Sequence, residues 1–166
     1  IDNYIYAFQK ENFALFIKNT LLVSVVSTII VIVLASLASY SFARYNVGGG
    51  SVLFFILTTK MMPAIAVVLP YFIIFREIGN SPIGELLGIG LDKPGALIIS
   101  YTIFNLPFAI WLMVSFFQDI PRELEDSARL DGYSRMNVFY RVVLPLAMPG
   151  IAVTAIFCLI FSWNEF

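Results

Sequence analysis

Histidine is absent from this sequence, and cysteine occurs only once, at Cys158. Zinc sites and Ser/His or Cys/His catalytic pairs are difficult to build from a chain with no histidine and a lone cysteine. Cys158 lies within an apolar run, so we predict that its thiol packs in the core of the fold. These absences argue against an enzyme that depends on a metal ion or on an activated nucleophile.

Charge is also scarce and nearly balanced. Charged residues make up 13 % of the chain and hydrophobic residues 60 %, whereas soluble domains average roughly 25 % and 45–50 %. The net charge of −1 provides no basic surface for DNA or RNA, so nucleic acid is excluded as a partner. The composition indicates a chain that lies in a lipid bilayer.

What the sequence has in abundance is long uncharged runs. Residues 19–43, 94–118 and 142–164 carry no charge, and each run exceeds the roughly 20 residues with which a helix crosses a bilayer. A fourth apolar run contains a single charge, Lys60. Runs of this length favour helices over barrel strands, so we predict an all-α membrane protein, a polytopic helical bundle. The predicted spans are residues 20–43, 51–75, 95–117 and 146–166.

We expect residues 1–166 to form a single transmembrane domain. The consecutive glycines within residues 45–50 predict a short hairpin, and residues 76–94 predict a longer surface loop. The sequence has no initiating methionine and ends soon after an apolar run, which we interpret as a fragment of a longer chain. Residues 1–19 mix apolar and charged side chains and do not resemble a secretory signal.

The remaining connection, residues 119–145, is charged and yet periodic. Pro121 suits the first position of a helix, and Glu125 and Asp126 lie near the positive end of its dipole. Gly132 is typical of the residue that ends a helix. We therefore predict a helix outside the lipid that stops at this glycine.

A second helix is predicted after that turn. Ser134 is a suitable N-cap. Met136, Phe139 and Val143 recur at the spacing of one helical face, and Pro145 is expected to end the helix. Residues 119–145 thus form a helix, a glycine turn and another helix.

A motif in this loop resembles that of a known family. Residues 126–132 read DSARLDG and, after nine residues, residues 142–145 read VVLP. This spacing resembles the permease motif of binding-protein-dependent ABC importers, which reads Glu-Ala-Ala, three residues, Gly, nine residues, Ile, any residue, Leu-Pro. Asp126, Ser127 and Val142 depart from that motif, each by a conservative change.

The resemblance extends to the carbohydrate branch of that family, the maltose-type permeases, over residues 19–21, 40–44, 105–108 and 162–166. It implies a type I ABC importer permease fold in a bacterial or archaeal inner membrane. The full subunit would have six spans, of which this chain holds the second to the fifth. The implied partners are a second permease subunit, two cytosolic ATP-binding subunits, an external solute-binding protein and membrane lipid. No cofactor is implied in this chain, because ATP is bound by the partner subunits.

Orientation in the membrane is left open by the charges. Five basic residues fall on one side of the predicted spans and four on the other, which is too even for the positive-inside rule to decide. The resemblance implies that residues 119–145 are cytosolic, so residues 1–18 and 76–93 are expected to face outward.

The resemblance also implies that the loop docks on an ATPase subunit. Small side chains at Ser127 and Ala128 would let a partner approach closely, while Gly132 permits a sharp turn. The charged neighbours, Glu125 and Arg129 among them, would set register and partner choice. The predicted coupling residues are Glu123, Asp126, Ser127, Ala128, Leu130, Asp131, Gly132, Leu144 and Pro145. A solvated amphipathic connector is the alternative interpretation.

Charged and polar groups inside apolar spans are candidates for the solute path. Lys60 is followed by Pro63, which would open the helix and free backbone groups. The alternatives are that Lys60 snorkels along its stem or pairs with a partner helix in the complete complex. Tyr101 and Asn105 form a weaker candidate, since Asn105 could instead satisfy carbonyls freed by Pro107.

A third candidate for the path lies near the end of the chain. Trp163, Asn164 and Glu165 combine a flat apolar ring with polar groups, as a sugar requires for stacking and hydrogen bonding. The alternative is an interfacial belt of the kind in which tryptophan often occurs. A direct pair between Lys60 and Glu165 is not expected, because Glu165 should lie toward the outer face.

The function that follows is that of an importer subunit without catalysis of its own. ATP binding would close the two ATPases, pull on residues 121–145 and tilt the spans, so that a sugar or related polyol crosses. Alternatives are a permease of the same superfamily for a non-sugar solute and a channel or secondary transporter. An intramembrane enzyme is a further alternative that the missing histidine disfavours.

Overall fold

The computed structural model describes residues 13–91 and 93–164. Within these ranges the chain forms helices and turns and no β-strand, so the all-α prediction is confirmed. The helices are α1 Phe13–Tyr45, α2 Gly49–Thr59, α3 Ala64–Gly79, α4 Pro82–Leu87, α5 Pro94–Gln118, α6 Arg122–Leu130, α7 Arg135–Val138, a π-helical turn Phe139–Val143, α8 Leu144–Leu146 and α9 Met148–Asn164.

The core forms where α1, α5 and α9 pack together. Small residues on the inner face of α1, such as Ala35 and Ser39, let the helices approach closely. Ser39 Oγ donates a hydrogen bond to the carbonyl oxygen of Ile110 at 3.0 Å. Phe117 fills the space beside them, and Cys158 is fully buried. The prediction that Cys158 packs in the core is confirmed.

By length and composition, α1 and α5 could each cross a membrane. Residues 135–146 and α9 would provide a third crossing if the two pieces are taken as one bent span. The predicted division of the chain into four membrane spans stays a prediction.

The predicted span over residues 51–75 is not one helix. The first piece, α2, ends at Thr59, and α3 begins at Ala64. Pro63 is the N-cap of α3, with an extended ψ of 129°. A proline has no N–H to donate and disfavours helical backbone in the residue before it. The predicted opening of the helix at Pro63 is therefore confirmed, and it goes as far as a complete break.

The connections at residues 45–50 and 76–94 differ from each other as predicted, with one correction. The short one is a tight turn in which Gly48 and Gly49 have φ of 68° and 63°. The long one is not a plain loop, because it contains α4. Ser81 caps this helix by accepting a hydrogen bond from the N–H of Gly84 at 3.1 Å. A serine cap followed by Pro82 at the first helical position explains why a helix begins here.

The second helix of the charged loop does not end at Pro145, contrary to prediction. Because Pro145 cannot donate a backbone hydrogen bond, the chain widens into the π-helical turn before it and stays helical to Leu146. The N–H of Ala147 still bonds the carbonyl of Val143 at 2.9 Å. The chain then turns, so that residues 135–146 and α9 meet at an angle of 72°.

The predicted apolar face of the second helix of the charged loop is also corrected. Phe139 and Val143 are buried as predicted, but Met136 is 56 % exposed. Val138, fully buried, takes the place predicted for Met136. The wider π-helical turn changes the angle between successive side chains, so a face counted at 3.6 residues per turn does not hold here.

Candidate coupling segment and solute path

The first half of the charged loop forms the predicted helix and glycine turn. Pro121, predicted at the first helical position, is the N-cap instead, so α6 begins one residue later, at Arg122, and runs to Leu130. Gly132 has a φ of 87°. The N–H of Tyr133 bonds the carbonyl of Ala128 at 3.2 Å, and the N–H of Gly132 bonds that of Arg129 at 3.0 Å. This pair of bonds is a Schellman motif, which confirms that Gly132 ends the helix.

Position 132 requires a glycine because of its backbone conformation, and not because a side chain would lack space. A Cβ atom added at this position would meet no atom within 4 Å. Side chains other than glycine are strained at positive φ, however. The open space beside Gly132 therefore remains available to another surface.

The helix α6 has one face turned into the protein and one turned out. Glu125 and Ala128 are 3 % and 8 % exposed, whereas Leu130 is 90 % exposed. Ala128 belongs to the core cluster, so its small side chain serves internal packing. The prediction that Ala128 offers room to a partner is wrong, because the helix buries that face.

Glu125 is held inside the protein by two residues of α1. Tyr40 Oη donates a hydrogen bond to Glu125 Oε2 at 2.7 Å, and Arg44 Nε donates to Glu125 Oε1. Arg44 Nη2 also donates to the carbonyl oxygen of Ile120 at 2.9 Å. The predicted role of Glu125 in setting the register of a partner is therefore wrong, since its carboxylate is buried and occupied.

Sequence reasoning missed this buried cluster, although one signal was present. Tyr40 and Arg44 are four residues apart at the end of an apolar run, so they lie on the same face of α1. An arginine at that position needs an acidic partner if its face is buried. Which of the nearby acids fulfils that need depends on how α6 lies against α1.

The predicted coupling residues divide into an exposed group and an internal group. Leu144 is partly buried and packs against the core cluster, so a direct role in docking is not supported for it. Pro145 is exposed but lies beyond the π-helical turn, not on α6. The exposed members on α6 and its turn are Glu123, Asp126, Ser127, Leu130, Asp131 and Gly132.

Lys60 lies at the break between α2 and α3. It is the C-cap of α2, and its Nζ atom lies 5.3 Å from the centre of the Phe161 ring. A cation at that distance from an aromatic face is attracted to the ring electrons. Lys60 thus contacts α9 of its own chain. Its place in the solute path and its pairing with a partner helix in the complete complex both stay predictions.

Asn105 and Tyr101 are buried within the chain. Asn105 Nδ2 donates a hydrogen bond to Ser162 Oγ at 3.1 Å, so Asn105 connects α5 to α9 and does not bond carbonyls freed by Pro107. Tyr101 is buried on the same helix. Neither side chain therefore lines an open path in this structure.

Trp163 and Asn164 are exposed at the end of α9. They border a cavity of about 360 Å³ that is lined otherwise by Leu21, Ser24 and Val25 of α1 and by Leu159 and Ile160. The third member of this predicted group, Glu165, lies outside the described residues. The aromatic and amide groups are thus adjacent and accessible, although most of the lining is aliphatic.

We expect Ser162→Ala to lower the free energy of unfolding by about 1–3 kcal/mol, the cost of leaving a buried donor of Asn105 without a partner. The measurement is thermal unfolding of the full-length protein in detergent. Asn105→Ala with Ser162→Ala should cost less than the sum of the two single changes. Additive effects would show that the bond between these residues contributes nothing.

Comparison with known proteins agrees with the motif. The family described as binding-protein-dependent transport system inner membrane component matches residues 31–166. The sulfoquinovosyl glycerol transport system permease protein of Agrobacterium fabrum is 33 % identical over 100 % of this chain and 55 % of its own length. The trehalose transport system permease protein of Mycobacterium tuberculosis is 35 % identical over 99 % of this chain and 57 % of its own.

A further relative is the alpha-glucoside transport system permease protein of Rhizobium meliloti, 30 % identical over 99 % of this chain and 42 % of its own length. The chain therefore spans about half the length of the curated relatives it matches. The resemblance to carbohydrate-type importer permeases, the helical fold and the inner-membrane location predicted from sequence are confirmed. This chain belongs to the family of binding-protein-dependent transport system inner membrane components.

Proposed function

We propose that this chain is part of the transmembrane permease subunit of an ATP-driven importer for a sugar or related polyol. The observation that carries the proposal is the division of α6 into two faces. Its inner face is buried against the core, while its outer face and the turn that follows present the motif residues Asp126, Ser127 and Gly132. Leu130 lies beside them at 90 % exposure. The partner that covers this outer face is proposed to be a cytosolic ATPase subunit.

The outer face has the chemistry of a docking surface. Leu130 is a large apolar side chain beside a turn, and burying it against a partner would contribute about 1.5–3 kcal/mol. Ser127 and the open space at Gly132 allow a close approach. The exposed carboxylates of Glu123 and Asp131 lie beside an ion pair of Asp126 with Arg129 at 3.5 Å. The surface therefore carries charges of both signs, and these charges are proposed to set the register of the partner.

The other subunits of the transporter complex follow from the proposed function. A second permease subunit would complete the path, and an external binding protein would deliver the solute. ATP would be bound and hydrolysed by two cytosolic subunits, with no catalysis in this chain. Trp163 and Asn164 are proposed to contact the solute, because they are accessible and combine a stacking ring with an amide.

A photo-crosslinking amino acid at position 130 tests the docking surface. In the assembled complex we expect crosslinks from this position to the ATPase subunit. Leu86 provides the control, since it is 85 % exposed on α4, before the start of α5, whereas α6 follows the end of α5. The two positions are thus separated by the length of α5, about 37 Å at ~1.5 Å per residue, and position 86 should give no ATPase crosslink.

Leu130→Asp should abolish most of the ATP hydrolysis that the binding protein stimulates, because it places a charge at the apolar centre of the contact. The ATPase rate of the reconstituted complex, with and without loaded binding protein, is the measurement. Undiminished stimulation would contradict docking through α6. Solute flux through the purified protein without any ATPase subunit would instead indicate a channel or secondary transporter.

A further inference from the structure

We infer that Glu125 is a positioning residue that joins the docking helix α6 to α1, so that α1 is the span that receives the displacement of α6. This inference rests on the proposed function. It adds to that function the route by which motion passes from the docking surface into the membrane-spanning helices.

The side-chain hydrogen bonds of α6 point to α1. Glu125 accepts hydrogen bonds from Tyr40 and Arg44, and Arg122 Nη2 donates to the carbonyl oxygen of Ala43 at 3.4 Å. Among the described residues, every side-chain hydrogen bond between α6 and another helix ends on α1. On its N-terminal side α6 is connected to α5 through residues 119–121, and this short segment is itself bonded to α1 by Arg44.

The joint is built to be rigid. The side chains of Arg44 and Glu125 are 6 % and 4 % exposed, so water does not compete for their hydrogen bonds. The planar guanidinium of Arg44 bonds a carboxylate with Nε and the Ile120 carbonyl with Nη2. A lysine has a single terminal nitrogen and cannot reproduce this geometry. The orientation of α6 relative to α1 is therefore set by several directional bonds at once.

Tyr40 brings the second half of the loop to the same joint. Its ring centre lies 4.9 Å from that of Phe139 in the π-helical turn and 6.1 Å from that of Phe117 in α5. The hydroxyl of the same side chain donates to Glu125. Both halves of the charged loop therefore meet on one residue of α1, which then moves with them.

The experiment uses the full-length complex with its ATPase subunits and binding protein in liposomes, and measures solute transported per ATP hydrolysed. For Glu125→Gln we expect this ratio to fall about tenfold, within the range of coupling between linked sites. The crosslink from position 130 to the ATPase subunit should be retained. Arg44→Lys should behave in the same way, since it keeps the charge but loses the paired bonds.

A matched pair of milder variants separates a loss of coupling from a loss of folding. Tyr40→Phe removes the hydroxyl that bonds Glu125 and should also lower the ratio. Tyr45→Phe is the control, because Tyr45 lies on the same helix but its hydroxyl makes no hydrogen bond among the described residues, and the ratio should not change.

Two results would overturn the inference. One is an unchanged ratio in Glu125→Gln and Tyr40→Phe. The other is a proportional loss of transport, hydrolysis and crosslinking, which would show that Glu125 only maintains the fold. A different result is no ATPase crosslink at all from a complex that carries the crosslinking residue at position 130, with Tyr40, Arg44 and Glu125 unchanged. That result would overturn the proposed docking function, and the inference with it.

Discussion

Glu125→Ala is expected to lower the free energy of unfolding by about 3–5 kcal/mol, because it leaves the buried guanidinium of Arg44 without its counter-charge. The penalty of an unpaired buried charge exceeds the value of the hydrogen bonds themselves. Tyr40 loses its acceptor in the same variant. Thermal or denaturant-induced unfolding of the purified full-length permease in detergent measures the effect.

Glu123→Ala is the matched control for this variant. Glu123 is an exposed acid on the same helix, and its carboxylate has no hydrogen bond or ion pair among the described residues. The change in stability should stay within about 0.5 kcal/mol. Equal losses in the two variants would contradict the buried pair. Replacing both partners, as Arg44→Met with Glu125→Leu, should recover much of the lost stability, because no unpaired charge then remains.

Gly150→Ala is expected to lower the free energy of unfolding by about 1–3 kcal/mol through overpacking. A Cβ atom at Gly150 would lie 2.3 Å from Cγ and 2.7 Å from Cβ of Phe116. A rotation of the Phe116 ring cannot relieve the contact with its own Cβ atom, so the backbones of α5 and α9 would have to separate. The same unfolding measurement applies.

Gly50→Ala provides a comparison with the opposite expected sign. Gly50 lies in α2, and a Cβ atom there would meet no atom within 4 Å. Alanine is favoured over glycine in the middle of a helix by about 0.5–1 kcal/mol, and at Gly50, the second residue of α2, we expect a smaller gain of the same sign. If Gly150→Ala were as well tolerated as Gly50→Ala, the close approach of α5 and α9 would be refuted. Phe116→Ala should suppress much of the effect of Gly150→Ala.

Features that depend on neighbouring residues could be predicted from the sequence. The break at Pro63 follows from the missing N–H of one proline, and the end of α6 at Gly132 follows from a residue that tolerates positive φ. The N-cap at Ser134, whose hydroxyl accepts a hydrogen bond from the N–H of Asn137 at 3.4 Å, is of the same kind. Each of these features is decided by residues within about one turn of the chain.

The π-helical turn could not be predicted from neighbouring residues alone. The sequence indicates that Pro145 removes a donor, but the chain can respond by ending the helix or by widening it. Here Val138, Phe139 and Val143 are all buried against the core, and this packing keeps the segment helical. Met136 was misplaced for the same reason, because its position depends on a turn whose width is decided by packing.

By itself, the sequence determined the helical class, the family and the placement of the motif, since these depend on composition, run length and spacing along the chain. Only the tertiary structure decided which residues of the motif face outward. Glu125 and Ala128 resemble their neighbours in charge and size, and they became internal because Tyr40 and Arg44, far away in sequence, bind α6 along that face. A burial pattern of that kind arises from contacts between distant segments, which spacing along one helix does not contain.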